Sequence, residues 1–166
     1  MIAETDATDS YQNVLFSLVR FKAHTGSFPK MVTVVTHEFK RKRFVECHFP
    51  AMGLIPLSAT GTMHRPGEDR VALIGLNPPE EVTSEEYLNK GEERTGIGLW
   101  KHDLYGVGPI LAGKRAKRGW HSGCEEQLFA TTDLPLVVKE LISWNGGETG
   151  NEWFPKMKEL PWYSDE

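Results

Sequence analysis

The sequence is poor in cysteine and in long apolar runs. Only Cys47 and Cys124 occur among 166 residues, without C-x-x-C spacing, which argues against a disulfide scaffold or a thiolate zinc site. The longest apolar stretches are a few residues long, whereas a membrane-spanning helix needs roughly 20. The first ten residues, MIAETDATDS, lack the apolar segment of a signal peptide. We therefore expect a cytoplasmic protein, with the nucleus as an alternative compartment.

Common cofactor and metal motifs are also missing. The glycines form neither a G-x-x-x-x-G-K-[ST] loop nor a G-x-G-x-x-G turn, so nothing favours a standard nucleotide site. The six histidines show no H-x-x-x-H spacing, and the sequence therefore predicts no metal site. It names no cofactor.

The charge pattern combines an acidic total with two basic blocks. The net charge is -4 and the isoelectric point about 5.9, so we do not expect nucleic acid as a partner. The cations cluster in KRKR at 40–43 and KRAKR at 114–118. A two-part nuclear-import signal is one explanation. A nuclear nucleic-acid binder is another, and it would lose affinity steeply with added salt.

The order of apolar patterns predicts an α/β domain. Helical periodicity covers 8–25, 38–49 (ending before Pro50), 104–117 and 134–144, while β-branched apolar runs at 31–35 and 71–76 predict strands. Strands that are apolar on both faces suit a sheet covered by helices on both sides. We therefore expect a three-layer α/β sandwich with a small, mostly parallel sheet. The domain would span 1–145, and the aromatic tail 146–166 would pack on it.

Polar and basic residues directly follow the first predicted strand, in VVTHEFKRKRF at 34–44. In an open parallel sheet, ligands bind beyond the carboxyl ends of the strands, and the N–H groups of a helix start attract anions. Thr36, Lys40 and Arg43 are four and three residues apart, so they share one side of a helix. Arg41 and Lys42 would instead face solvent. The pattern predicts an anion site formed by Thr36, Lys40 and Arg43.

Three residues near the first helix complete the predicted site. Ser10 and Asn13 are three apart and project together, so Ser10 would bind the ligand and Asn13 would take part in catalysis. Glu4 precedes the helix and would serve as the general base. The alternatives are that Ser10 and Asn13 are ordinary helix-start residues, and that the cations form a solvated face. His48 and the other histidines are interpreted as ordinary.

Several segments resemble one protein family. The stretch ETDATDSYQN, from Glu4 to Asn13, resembles the E-x-x-S-x-N-T-x-E-N signature of the DUF218 family, the YdcF-like and SanA-like proteins. VVTHEFKRKRF looks like the family pattern V-V-T-x-x-[FY]-[HK]-x-x-R, and both LNPP and DLYGVGPILAGKR are similar to small fungal members. The resemblance covers most of residues 4–145.

The resemblance implies a Rossmann-like α/β sandwich and an enzyme, although no single reaction is agreed for the family. The sequence departs from the signature at four positions, with Ala7 for Ser, Asp9 for Asn, Ser10 for Thr and Gln12 for Glu. Members normally carry a further half, with the first parallel strand, ahead of the position of Glu4. We therefore expect an N-terminally shortened family domain.

Two functions follow as hypotheses. The first is a protein that binds a small anionic or phosphorylated ligand and acts as a hydrolase or transferase. Glu4 would then be the base, and Lys40 and Arg43 would stabilise the anion. The alternative is a non-catalytic binding or interaction module, such as a homodimer in which a partner's strand extends the sheet.

Overall fold

The computed structural model describes residues 2–55, 70–121 and 123–163. These residues form a mixed α/β fold with a two-stranded parallel sheet, which confirms the predicted α/β class and the small parallel sheet. We label the continuous helical segment 38–51 α2. The other elements are α1 (Ser10–Thr25), β1 (Val32–Thr36), β2 (Val71–Gly75), α3 (Glu85–Thr95), α4 (Ile97–Trp100), α5 (Pro109–Ala116), α6 (Cys124–Phe129) and α7 (Leu136–Ile142).

Helix α1 begins and ends at residues whose chemistry marks its ends. The Asp9 carboxylate caps the helix by accepting the N–H of Gln12 at 2.8 Å. Gly26 ends it with φ of 81°, a left-handed conformation that glycine adopts without strain. The helix starts at Ser10 rather than at Thr8, because Thr8 bonds the Gln12 side chain instead. One face of α1 is buried in the core.

Helix α2 is irregular and passes through a proline. It consists of a 3₁₀ turn (Glu38–Lys40), an α turn (Arg41–Arg43), a π turn (Phe44–His48) and a last α turn (Phe49–Ala51). The predicted end before Pro50 is therefore wrong by two residues. In the π turn, the N–H of Phe49 donates to the Phe44 carbonyl. This wider bonding pattern precedes Pro50, whose missing N–H and ring would disturb a regular α-helix.

The sheet exposes one of its faces. β1 and β2 pair in parallel, from Val32 opposite Val71 to Thr36 opposite Gly75. Val34 and other alternate residues are partly buried against the core, whereas Val35 on the opposite face is 66% exposed. The sequence pattern could not reveal this difference, because the outward-facing residues are as apolar as the inward-facing ones.

The later segments pack around α1 and α2. Pro109 occupies the first turn of α5 and so starts this helix, where a proline is well tolerated. In the tail, the Trp162 indole N–H donates to the Met52 carbonyl at 2.7 Å, and the N–H of Phe154 donates to the Tyr105 hydroxyl at 2.9 Å. The search of the described residues for a helix long and apolar enough to cross a membrane finds none.

Candidate functional site

A cavity of about 710 Å³ opens between α1, β1, the start of α2 and α5. Its apolar wall comes from four core side chains: Val14, Phe44, Trp100 and Leu111. Its polar wall comes from residues of both charge signs and from hydroxyl and amide groups: Asp9, Ser10, Asn13, Thr36, Lys40, Arg43, Lys114 and Arg118. Four of these side chains are basic and one is acidic, so the cavity favours negatively charged ligands.

The free edge of β1 forms part of the cavity wall. All five residues of β1, Val32–Thr36, line the cavity although their side chains alternate between the two faces. On the paired edge, the N–H of Val32 donates to Arg70 and the Thr36 carbonyl accepts the N–H of Leu76. The peptide groups of Thr33 and Val35 therefore point away from β2. No other described strand pairs with that edge.

Five of the six residues predicted from the sequence lie together in this cavity. Ser10 and Asn13 reach it from α1, Thr36 from the end of β1, and Lys40 and Arg43 from α2. Their neighbours in the basic block, Arg41 and Lys42, do not line it. Arg41 pairs instead with Glu38 at 2.5 Å. The Asn13 side chain is exposed to the cavity and makes no hydrogen bond to any described residue.

Glu4 is the exception. Its carboxylate accepts the N–H groups of Asp6 and Ala7 at 2.6 and 3.0 Å and bonds the Arg20 guanidinium at 3.3 Å. The side chain is only 5% exposed and does not line the cavity. These contacts give Glu4 a structural role in the N-terminal turn, and its role as a general base remains a prediction. In the part of the chain that the structure describes, no group of three or more acidic, histidine or cysteine side chains could hold a metal ion.

Arg43 is held by a buried carboxylate. Its Nε donates to Glu92 Oε1 at 2.7 Å, and its Nη2 bonds Glu92 Oε2. The Glu92 side chain is 5% exposed and also accepts the N–H of Ile97 at 3.0 Å. The remaining Nη1 of Arg43 donates to Ser10 Oγ at 3.3 Å. The charge of Arg43 is thus compensated, and its free donor group holds the Ser10 hydroxyl.

Three other cations in the cavity have no carboxylate partner within the described residues. Lys114 donates to the carbonyl of Thr95 at 2.9 Å, and Arg118 donates to the carbonyl of Thr8. The Lys40 ammonium lies 5.5 Å from the centroid of the Phe39 ring, and the Glu92 carboxylate attracts it without an ion-pair contact among the described residues. Carbonyls and rings satisfy donors without neutralising charge, so the cavity keeps three positive charges.

These cations repel one another. Burial, followed by the charge of Arg43, lowers the pKa of Lys40. Burial, followed by Arg118 and Arg43, lowers the pKa of Lys114. Both effects disfavour the charged ammonium, and a bound anion would reverse the electrostatic part of each shift.

Sequence reasoning missed part of the site. The sequence predicts Lys114 only as a secondary candidate, through the resemblance of DLYGVGPILAGKR to the DUF218 family, and it does not predict Arg118; both stand in the basic block 114–118, for which an import signal is one explanation. His48 lies 2.8 Å from Ser10 Oγ through its Nε2, although the two are 38 positions apart. No spacing rule links residues so distant in the chain.

Comparison with known proteins adds one distant relative. In an alignment of 122 residues that covers 69% of this chain, the sequence is 24% identical to an uncharacterized protein of Saccharomyces cerevisiae, YOR238W. The match spans 36% of the length of the yeast protein. No protein-family model matches the chain, and no solved structure matches it significantly. The resemblance to the DUF218 family therefore stays a prediction.

Proposed function

We propose that the cavity binds a small anionic ligand, with phosphorylated compounds as the best chemical match, and that the protein is a hydrolase or transferase acting on this ligand. The observation that carries the proposal is the set of three cations, Lys40, Lys114 and Arg118, around one cavity without a carboxylate partner among the described residues. Lys40 and Lys114 are partly buried, and keeping a partly buried ammonium without a paired carboxylate costs free energy, whereas Arg118 is exposed. A phosphate group would offset this cost and satisfy the guanidinium with paired hydrogen bonds.

We also propose that the chain is a DUF218-type protein whose sheet belongs to a Rossmann-like three-layer arrangement. Support comes from the parallel pairing of β1 and β2 and from the convergence of Ser10, Asn13 and Thr36, all within the motif-like segments, on one cavity. In this proposal the exposed Asn13 amide orients the ligand. Lys40, Lys114 and Arg118 neutralise its charge.

Calorimetric titration with inorganic phosphate and pyrophosphate tests the binding. Replacing Lys40 or Arg118 with alanine removes a charge-assisted contact, each worth about 1.5–3 kcal/mol, so we expect affinity to fall by about tenfold or more. Lys42→Ala and Lys117→Ala are matched controls, because these lysines neighbour the site in sequence but are exposed outside the cavity. An equal loss of phosphate affinity in the cavity variants and in the control variants, or no phosphate binding by the wild type, would contradict the proposal.

A second candidate function is a binding or interaction module that assembles through the sheet. Two features promote strand pairing between chains. No other described strand pairs with the outer edge of β1, and the outward-facing side chains Val35 and Ile74 are 66% and 49% exposed. Light scattering tests a homodimer. A dimer that Val35→Lys converts to a monomer supports this function, and a wild-type monomer at every concentration opposes it.

A further inference from the structure

The Ser10 hydroxyl sits where the cavity meets a buried histidine. Ser10 Oγ lies 2.8 Å from His48 Nε2 and 3.3 Å from Arg43 Nη1, and Ser10 lines the cavity. Arginine can only donate hydrogen bonds, so Ser10 Oγ accepts from Arg43. In the His48 tautomer that carries its proton on Nδ1, the Ser10 hydroxyl donates to His48 Nε2 while its oxygen accepts from Arg43.

His48 is a fixed, neutral imidazole. The residue is fully buried, and its ring packs edge-on against Trp100 and Phe44 with centroids 4.5 and 5.2 Å away. Its other nitrogen, Nδ1, has no partner within the described residues. Burial, followed by the charges of Arg43 and Arg115, lowers the pKa of His48 well below its ordinary value. The imidazole is therefore neutral at pH 7, and the surrounding rings orient it in place of a carboxylate.

The surroundings of Ser10 stabilise negative charge on its oxygen. Ser10 is the first residue of the 16-residue helix α1, whose dipole gives this end a positive potential, although the Asp9 carboxylate already accepts the N–H of Gln12 there. The Arg43 guanidinium adds a direct donor. A hydroxyl within hydrogen-bonding distance of a histidine is the arrangement that activates serine as a nucleophile, and the Arg43 guanidinium, already paired with Glu92, adds a hydrogen-bond donor to it.

We propose that Ser10 is a nucleophile and His48 its general base, and that together they transfer the phosphoryl group of a phosphomonoester held in the cavity. This inference rests on the proposed function of the same cavity. It assigns the reaction to two residues of which the sequence pattern predicted one, Ser10, and only for binding.

The reaction balances with water as the second substrate. Ser10 Oγ attacks phosphorus and gives its proton to His48 Nε2, while the bond between phosphorus and the alcohol oxygen breaks. The departing alkoxide takes a proton from water and leaves hydroxide. Hydroxide attacks the phosphoserine, the bond from Oγ to phosphorus breaks, and Oγ recovers its proton from His48. The sum is phosphomonoester plus water giving alcohol plus hydrogen phosphate.

The covalent intermediate gives the decisive experiment. The full chain is mixed with p-nitrophenyl phosphate, quenched in acid and digested for mass spectrometry. We expect a phosphoryl group on the peptide that contains Ser10, together with release of p-nitrophenol. Ser10→Ala should abolish the adduct, and His48→Gln should slow release by about 10²–10⁴-fold, as expected for a lost general base.

Ser17→Ala is the matched control. Ser17 lies two turns further along α1 on the same cavity wall, without a described histidine or arginine partner, so its replacement should leave the adduct unchanged. Phosphate affinity separates the two proposals, since Ser10→Ala should still bind phosphate through the cations. Phosphate binding without any adduct, or an adduct on another residue, would refute Ser10 as the nucleophile but would still agree with the proposed anion binding. If His48→Gln fails to fold, the location of the adduct in the wild type decides alone.

Discussion

The buried pair between Arg43 and Glu92 allows a sharp test of how the cavity is built. Replacing Glu92 with alanine removes both carboxylate contacts to Arg43, whose side chain is only 15% exposed, and leaves the N–H of Ile97 without its acceptor. Breaking a buried ion pair by removing one partner costs about 3–5 kcal/mol, because the remaining charge stays buried. At about 2–4 °C per kcal/mol for a chain of this size, Tm should fall by about 6–20 °C.

The assay is urea denaturation followed by circular dichroism, with thermal unfolding as a second measurement. Glu93→Ala is the matched control, since Glu93 is the next residue of α3 and is exposed without a described ion-pair partner. We expect it to change stability by less than about 0.5 kcal/mol. A Glu92→Ala variant within about 1 kcal/mol of this control would refute the reasoning.

A double variant isolates the cause of the loss. If the penalty comes from the stranded charge of Arg43, replacing both partners with apolar residues, as in Arg43→Met with Glu92→Leu, should cost less than Glu92→Ala alone. If the double variant loses at least as much unfolding free energy as Glu92→Ala, then the contacts between the two side chains, and not the relief of an unpaired charge, account for the stability.

Three further predictions concern stability, pH and reactivity. Gly91→Ala, with open space around it inside α3, should gain about 0.5–1 kcal/mol, whereas Gly96→Ala should lose stability in the same urea assay because its Cβ would overlap the Glu92 carboxylate and Arg43. The folded pKa of Lys40 lies below its unfolded value of 10.5. As pH rises from the folded to the unfolded pKa, the stability of the wild type should therefore increase relative to Lys40→Met, while its affinity for phosphate falls. Stability and affinity that do not change with pH in this range would contradict the prediction. Burial raises the pKa of Cys47 to about 11, so a thiol reagent should label it only after unfolding; equal labelling in the folded state would be evidence against its burial.

Local chemistry made part of the fold predictable. The cap at Asp9, the stop at Gly26 and the helical spacing of Lys40 and Arg43 involve residues close together in the chain. Lys40 and Arg43 reach the cavity from α2, whereas Thr36 reaches it from the end of β1. Such short-range signals depend on backbone hydrogen bonding and helix geometry, which are encoded in neighbouring residues.

The missed features depend on contacts between distant segments. Glu92 meets Arg43 across 49 positions and His48 meets Ser10 across 38. One face of the sheet is exposed because the described helices pack against the other face. Val35 has the apolar character of a buried strand residue, although it is 66% exposed. The π turn Phe44–His48 lets the helix continue through Pro50, whereas a proline ordinarily marks the end of a helix, so the predicted helix ended too early.

The two kinds of cation in the cavity carry the functional argument. Arg43 has its own buried carboxylate, so the fold already balances its charge and uses it to position Ser10. Lys40, Lys114 and Arg118 have no such partner among the described residues. The exposed carboxylate of Glu93, the next residue after Glu92, does not line the cavity. Leaving the partly buried ammonium groups of Lys40 and Lys114 unpaired beside the same cavity costs stability there, because burial disfavours their charged form. Functional sites are where such local costs are expected, because the missing negative charge is then supplied by the ligand.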